Sequence, residues 1–194
     1  MTIKKQLWLL TGGNGAGKST FYRLFLAPLG IKLINADLIA KEINPANPER
    51  VSYNAANLAA IILDDLLIQG ASFCFETVFS HESKIDFAAR ARALGYEIFL
   101  VYFHLDSPGL NEARVLQRVT EGGHSVPADK IRSRIQRTMK NIATALPIAD
   151  EARLFDNSSK ENPYRQVAIV RKGVRVKVID PLPLWAAEIL RDIP

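Results

Sequence analysis

The chain has a single cysteine, three histidines and two methionines in 194 residues. One thiol closes no internal disulfide, which excludes a small disulfide-stapled secreted scaffold. That thiol, Cys74, lies inside the apolar run Ser72–Phe75 and reads as a buried strand thiol in a reducing cytoplasm rather than a nucleophile. His81 and His104 have no paired spacing with cysteine or carboxylates of the kind that holds zinc. No apolar run approaches the roughly 20 residues that span a bilayer, so a membrane protein is not expected. The N-terminal lysines followed by Leu7-Trp8-Leu9-Leu10 superficially resemble a signal peptide. That stretch is too short and runs into Gly12-Gly13 instead of a cleavage site. Repeats, low-complexity tracts and linkers are also missing, which predicts one domain over residues 1–194. There is no block of like charges. The net charge of +5 is spread along the chain with a modest concentration between Arg114 and Lys140, and suits an anionic small molecule or a nucleic acid.

What is present is ordinary globular material, 48% hydrophobic and 23% charged, enough for one sizeable core. Short apolar runs alternate with longer helical patterns, the signature of βα units around a parallel sheet. Strands are predicted at Gln6–Thr11, Lys32–Asn35, Ser72–Glu76, Glu97–His104 and Arg153–Asp156. Helices are predicted at Lys18–Leu26, Ala36–Ile43, Ser52–Gln69, Ser83–Leu94, Pro108–Thr120 and Pro127–Leu146. In the last of these, Ile131, Ile135, Met139, Ile142 and Leu146 keep helical spacing while Lys130, Arg134 and Arg137 fall on another face. Gln166–Asp180 alternates around Lys172-Gly173 as a β-hairpin, and Leu184–Arg191 reads as a short closing helix.

The strongest local signal is Gly12-Gly13-Asn14-Gly15-Ala16-Gly17-Lys18-Ser19-Thr20, which fits G-x-x-x-x-G-K-[ST] between a predicted strand and a predicted helix. Glycines let the backbone close around phosphates, and successive N–H groups at a helix N-terminus face the anion. Lys18 is expected to reach the β- and γ-phosphates of ATP, with the Ser19 hydroxyl on Mg²⁺. The expected fold is therefore an α/β P-loop NTPase three-layer sandwich. It has a mostly parallel five-stranded sheet with helices on both faces, plus the C-terminal hairpin and short helix.

The loop alone does not name the reaction. An Asn-Lys-x-Asp base-reading motif, a Leu-Ser-Gly-Gly-Gln signature and an apolar strand ending in Asp-Glu are all missing, which argues against a GTPase, a transporter ATPase and many motor ATPases. Single polar groups instead stand just past strand ends, beside the phosphates in an open α/β sheet. Asp37 follows Leu33-Ile34-Asn35 and is placed either as a general base towards an acceptor hydroxyl or as a helix N-cap. Glu76 follows Phe73-Cys74-Phe75, and a carboxylate there calls for Mg²⁺, its bound water, a substrate hydroxyl or a structural cation. Gly122-Gly123-His124-Ser125-Val126-Pro127 is a turn between helices carrying Arg114, Arg118, Arg132, Arg134 and Arg137. The segment 114–146 reads either as a lid that brings positive groups onto the phosphate or as a solvated basic face. Asn157, past the last parallel strand, is placed to contact the adenine ring or to form a plain surface turn.

Taken in order, Gly12–Thr20, Asn35-Ala36-Asp37, Phe75-Glu76-Thr77 and Arg118 through Gly122-Gly123-His124 to Pro127 resemble the zeta-toxin and UDP-N-acetylglucosamine kinase group of P-loop kinases, over about Leu7 to Asn157. The resemblance implies an ATP- and Mg²⁺-dependent kinase acting on a hydroxyl of a UDP-sugar. It makes Asp37 the base, Glu76 a metal or substrate ligand, and Arg118 with His124 in the lid turn the γ-phosphate stabilisers. The chain is similar to the short branch of the group, with Gly123-His124 where plasmid-borne toxins tend to supply a lid arginine, and an antitoxin partner rests on family analogy alone. Two other classes stay open: a polynucleotide or nucleoside kinase, disfavoured by the lack of RNA-binding motifs, and a nucleotide-gated regulatory ATPase whose basic helix binds a protein.

Overall fold

The computed structural model describes residues 4–106, 109–110, 114 and 128–194. Five parallel strands are ordered β2 (Lys32–Ile34), β3 (Phe73–Thr77), β1 (Gln6–Gly12), β4 (Glu97–His104) and β5 (Glu151–Asp156). The predicted hairpin is β6 (Arg165–Arg171) and β7 (Val174–Val178). It does not stand apart. β6 pairs antiparallel with β5, so the hairpin extends the expected five-stranded sheet to seven strands. Edge pairing of this kind depends on which backbone groups meet in space, and no local pattern encodes it.

The central strands are buried on both faces, which explains their nearly continuous apolar sequence. Leu7, Leu9, Phe73, Phe75, Ile98 and Leu100 point to one face, where α3 (Ser52–Gln69), α4 (Ser83–Ala93), α5 (Ala128–Ala145) and α6 (Leu184–Ile189) cover them. Leu10, Cys74, Val101 and Phe103 point to the other, against Phe21, Leu26 and Phe155. Each fully buried Leu or Phe contributes about 1.5–3 kcal/mol by leaving water. Cys74 has no exposed surface, and burial pushes its thiol well above the usual range, as an inert core thiol requires.

Two predicted helices differ in detail. The helix after the glycine loop is α-helical only over Lys18–Phe21 (α1); Tyr22–Leu26 opens into a wider π-type turn and Ala27–Leu29 tightens into a 3₁₀ turn. The widening accompanies an aromatic cluster in which Phe25 lies 4.7 Å from Phe21 and 6.2 Å from Tyr164. Pro48–Gln69, contrary to the expectation that nothing approaches spanning length, is long and apolar enough by length and composition to cross a membrane. Asn54, Asn57, Asp64 and Asp65 break its apolar runs, and Ala55, Ala59, Leu63, Leu66 and Leu67 bury one stripe against the sheet.

Helix α5 is anchored through its C-terminal turns. Met139 and Ile142 are buried, Thr138 Oγ1 donates to Val78 O (2.9 Å), and Asn141 Nδ2 donates to Phe79 O (3.0 Å). Most of the predicted helix Pro108–Thr120, together with Arg118, His124 and the turn between them, lies outside the described residues.

Candidate active site

β1 lies between β3 and β4: the chain crosses from β1 to β2 on one side, then from β3 over β1 to β4 on the other, a reversal that opens a crevice at the strand C-termini. Gly12–Thr20 occupies that crevice. Gly12 has φ 134°, and a Cβ there would sit 2.4 Å from the Phe103 carbonyl oxygen, so the loop passes closer to β4 than any side chain allows. Gly17 has φ 95°, and a Cβ would meet Asn157 Nδ2 at 2.4 Å. Only glycine fits either place without strain.

Lys18 is almost wholly buried. Its ammonium donates to Gly12 O (3.0 Å) and Gly13 O (2.9 Å), folding the side chain back over the loop. Ser19 Oγ donates to Glu76 Oε1 at 2.8 Å, joining the loop to the end of β3. Glu76 is also buried, and among the described residues its Oε2 has no hydrogen-bond partner. A buried carboxylate oxygen left unpartnered is costly, and a hard cation satisfies it. The Ser19 hydroxyl and the Glu76 carboxylate together form an all-oxygen set of the kind Mg²⁺ takes alongside phosphate oxygens.

Asp37 is not the helix cap. Asn35 takes that role at the start of α2 (Ala36–Ile43), its Oδ1 accepting from Asp37 N (2.7 Å) and Leu38 N (3.3 Å). The Asp37 carboxylate therefore stays exposed on the first turn and lines a cleft of about 250 Å³ together with Asn14, Lys18, Glu76, Lys84 and Arg134. A second cleft of about 590 Å³ runs from the loop residues Gly15–Thr20 past Glu76 to Arg114, Asn157 and Tyr164. Lys18 and Glu76 line both clefts.

Asn157 lines the larger cleft, but its side chain is already engaged. Nδ2 donates to Ala16 O (2.9 Å) and Oδ1 accepts from Tyr164 N (3.0 Å), while Tyr164 Oη donates to Gly17 O (2.9 Å). Asn157 and Tyr164 thus brace the glycine loop from behind. Tyr164 escaped sequence reasoning because it belongs to no motif; so did Lys84, which is one cation among 25 until the fold half-buries it beside Phe75. Of the basic residues flanking the predicted lid turn, Arg114 lines the larger cleft and Arg134 the smaller, whereas Arg137 turns back to Ser133 O.

The family model described as an AAA domain matches residues 7–142, which include the glycine loop, Asp37 and Glu76. The chain belongs to that family. An uncharacterised protein of Haemophilus influenzae is 31% identical over 139 residues, covering 68% of this chain and 99% of the relative. Among solved structures, the AvrRxo1-ORF1:-ORF2 complex with ATP superposes with a TM-score of 0.73 at 20% identity, covering 99% of this chain and 64% of that one. This AAA-domain chain thus spans less than two thirds of that relative's length. The PezAT toxin–antitoxin system of Streptococcus pneumoniae gives a TM-score of 0.67 at 17% identity, covering 99% of this chain and 79% of that one. These likenesses bear out, as fold, the resemblance to the zeta-toxin group, and the AAA-domain chain has the P-loop kinase-like α/β architecture.

The AAA-domain fold also encloses a buried histidine at the end of β4. His104, at the end of β4, stacks on Trp185 at 4.3 Å and shares a 3.1 Å hydrogen bond between Nδ1 and Tyr102 Oη. Burial lowers its pKa to about 4 against the opposing pull of Asp106 and Asp156. Because the native state resists protonation, the unfolded chain takes up the proton first as pH falls below about 6.5. Stability is therefore expected to drop by about 3 kcal/mol between pH 6.5 and pH 4 on this group's account, with no contribution above that window. Urea unfolding across that range checks it; an unchanged slope in His104→Gln would refute the assignment.

Proposed function

We propose that the protein is an ATP-dependent kinase that transfers the γ-phosphoryl group to a hydroxyl of a small molecule. The observation that carries this reading is the pair of clefts meeting at Lys18 and Glu76, with the exposed Asp37 carboxylate in the smaller one. A simple ATPase has no use for a second walled cleft beside the phosphates. The larger cleft takes the nucleotide, with its phosphates wrapped by the backbone of Gly12–Thr20 and the remainder lying towards Tyr164 and Asn157. The likeness to a complex determined with ATP supports this donor.

Lys18 exchanges its two backbone acceptors for the β- and γ-phosphates when they arrive. Ser19 and Glu76 would hold Mg²⁺, which would supply positive charge against the phosphate oxygens. The acceptor, in the smaller cleft, presents its hydroxyl to Asp37. The hydroxyl oxygen forms a bond to the γ-phosphorus as the bond to the β–γ bridging oxygen breaks. The hydroxyl proton passes to the Asp37 carboxylate, and ADP leaves. Arg114, and in this reading Arg118 and His124, add positive or donor groups around the transferring phosphoryl.

The resemblance to UDP-N-acetylglucosamine kinases puts that UDP-sugar first among acceptors to test. The likenesses to the AvrRxo1-ORF1:-ORF2 complex and to the PezAT toxin–antitoxin system support a protein partner by analogy. Incubation with ATP, Mg²⁺ and a panel of UDP-sugars, simple sugars and hydroxy acids, read by mass spectrometry, is expected to show one product heavier by a phosphoryl group. ATP consumed with phosphate released and no acceptor modified would count against the kinase.

A further inference from the structure

The smaller cleft is lined by cations as well as by carboxylates. Its floor is apolar and finely graded, with Ala56, Ala59 and Ala60 from α3 beside Leu63 and Phe75. Two cations from different elements enter it: Lys84 from the first turn of α4, and Arg134 from α5. Both are half-buried. Among the described residues neither has a carboxylate within ion-pair distance, nor a side-chain hydrogen bond, although Lys84 lies 5.2 Å from the centre of the Phe75 ring.

A half-buried cation without a counter-charge pays for desolvation with little return. Burial lowers the pKa of Lys84, which registers that cost. Among the described residues four other cations close on acids: Lys4 on Glu97, Arg90 on Asp64, and Arg153 and Arg171 on Glu151. Asp37 and Glu76 line the same cleft as Lys84 and Arg134, yet neither comes within 4 Å of them. Among the described residues, then, no ion pair joins the two carboxylates of the cleft to its two half-buried cations.

Resting on the kinase reading, we infer that Lys84 and Arg134 bind an anionic group, a carboxylate or a phosphate, carried by the acceptor whose hydroxyl faces Asp37. At about 250 Å³ the cleft lies just below the ~300 Å³ low end of pockets for drug-sized ligands, so the portion it holds is about the size of one sugar ring. The acceptor class is a small hydroxylated anion, or the anionic part of a larger molecule whose remainder stays outside. The guanidinium offers a paired donor face and the ammonium a point charge, an arrangement that fits either oxyanion.

The test uses the whole protein with its donor site filled by Mg²⁺ and the non-hydrolysable analogue AMP-PNP, so that added anions do not compete for the glycine loop. Glucose, gluconate, glucose 6-phosphate and UDP-N-acetylglucosamine are titrated calorimetrically. At least one anionic probe is expected to bind ten-fold or more tightly than glucose; gluconate against glucose 6-phosphate distinguishes carboxylate from phosphate. Lys84→Met and Arg134→Met, which keep aliphatic bulk, are each expected to weaken that probe about ten-fold while leaving AMP-PNP affinity within two-fold. Equal binding of neutral and anionic probes, or binding of none, overturns the inference and leaves the donor site standing. Loss of AMP-PNP affinity in Arg134→Met also overturns it, by assigning that guanidinium to the γ-phosphate. Failure of AMP-PNP to bind the unaltered protein removes the kinase reading itself, and the inference with it.

Discussion

Lys18→Ala is expected to lower kcat/KM for phosphoryl transfer about 10²–10³-fold, the scale on which a single preorganised charge acts at a developing anion. The effect follows from where the ammonium stands. Lys18 lines both clefts, and its ammonium already stands at the loop, where Gly12 O and Gly13 O hold it until phosphate oxygens replace them. The fold should survive the change. The carbonyls lose one donor each, but a largely buried charge also disappears, and these two effects oppose one another. Circular dichroism and urea unfolding should therefore change little while initial rates collapse. A variant retaining activity within ten-fold of the parent would remove Lys18 from the transfer step.

Asp37→Asn is expected to cut kcat about 10²–10⁴-fold, the range of a positioned general base, with ATP affinity nearly unchanged. The separation between catalysis and stability is sharper here than for most helix-start aspartates, because Asn35 already provides the cap. What Asp37 adds to α2 is a negative charge on an exposed first turn, worth about 0.3–1 kcal/mol. Nucleotide binding by equilibrium dialysis, measured beside single-turnover rates, resolves the two roles. Parallel loss of ATP affinity and rate would make Asp37 a structural residue of the crevice and leave the proton acceptor unassigned. Asn is the informative substitution, since it keeps shape and hydrogen-bonding capacity while losing the basic oxygen.

Much of the architecture was legible because its signals are local. Glu97–His104 and Ala36–Ile43 follow directly from apolar runs and helical spacing, and Ser52–Gln69 does so despite Asn54, Asn57, Asp64 and Asp65 within it. The glycine loop could be read because φ of 95° at Gly17 and the close approach at Gly12 leave no other residue type workable there. The role of Asp37 was ambiguous for an equally physical reason. An acidic residue beside Asn35 has two chemically reasonable uses, and only coordinates show which of the neighbours turns its oxygen to the helix N–H groups.

The glycine loop, the carboxylates at the strand ends and the alternating apolar pattern are properties of consecutive residues, so the sequence by itself determined the P-loop architecture and the place where phosphate chemistry belongs. The tertiary structure alone decided the rest. It made the hairpin part of one seven-stranded sheet, set Tyr164 and Asn157 behind the loop, and brought Lys84 and Arg134 into one cleft with Asp37. Ala16 and Asn157 are 141 positions apart, and Gly17 and Tyr164 are 147 apart. Their partners are selected by packing and by the cost of leaving buried polar groups unsatisfied, and neither is written in any single stretch of chain.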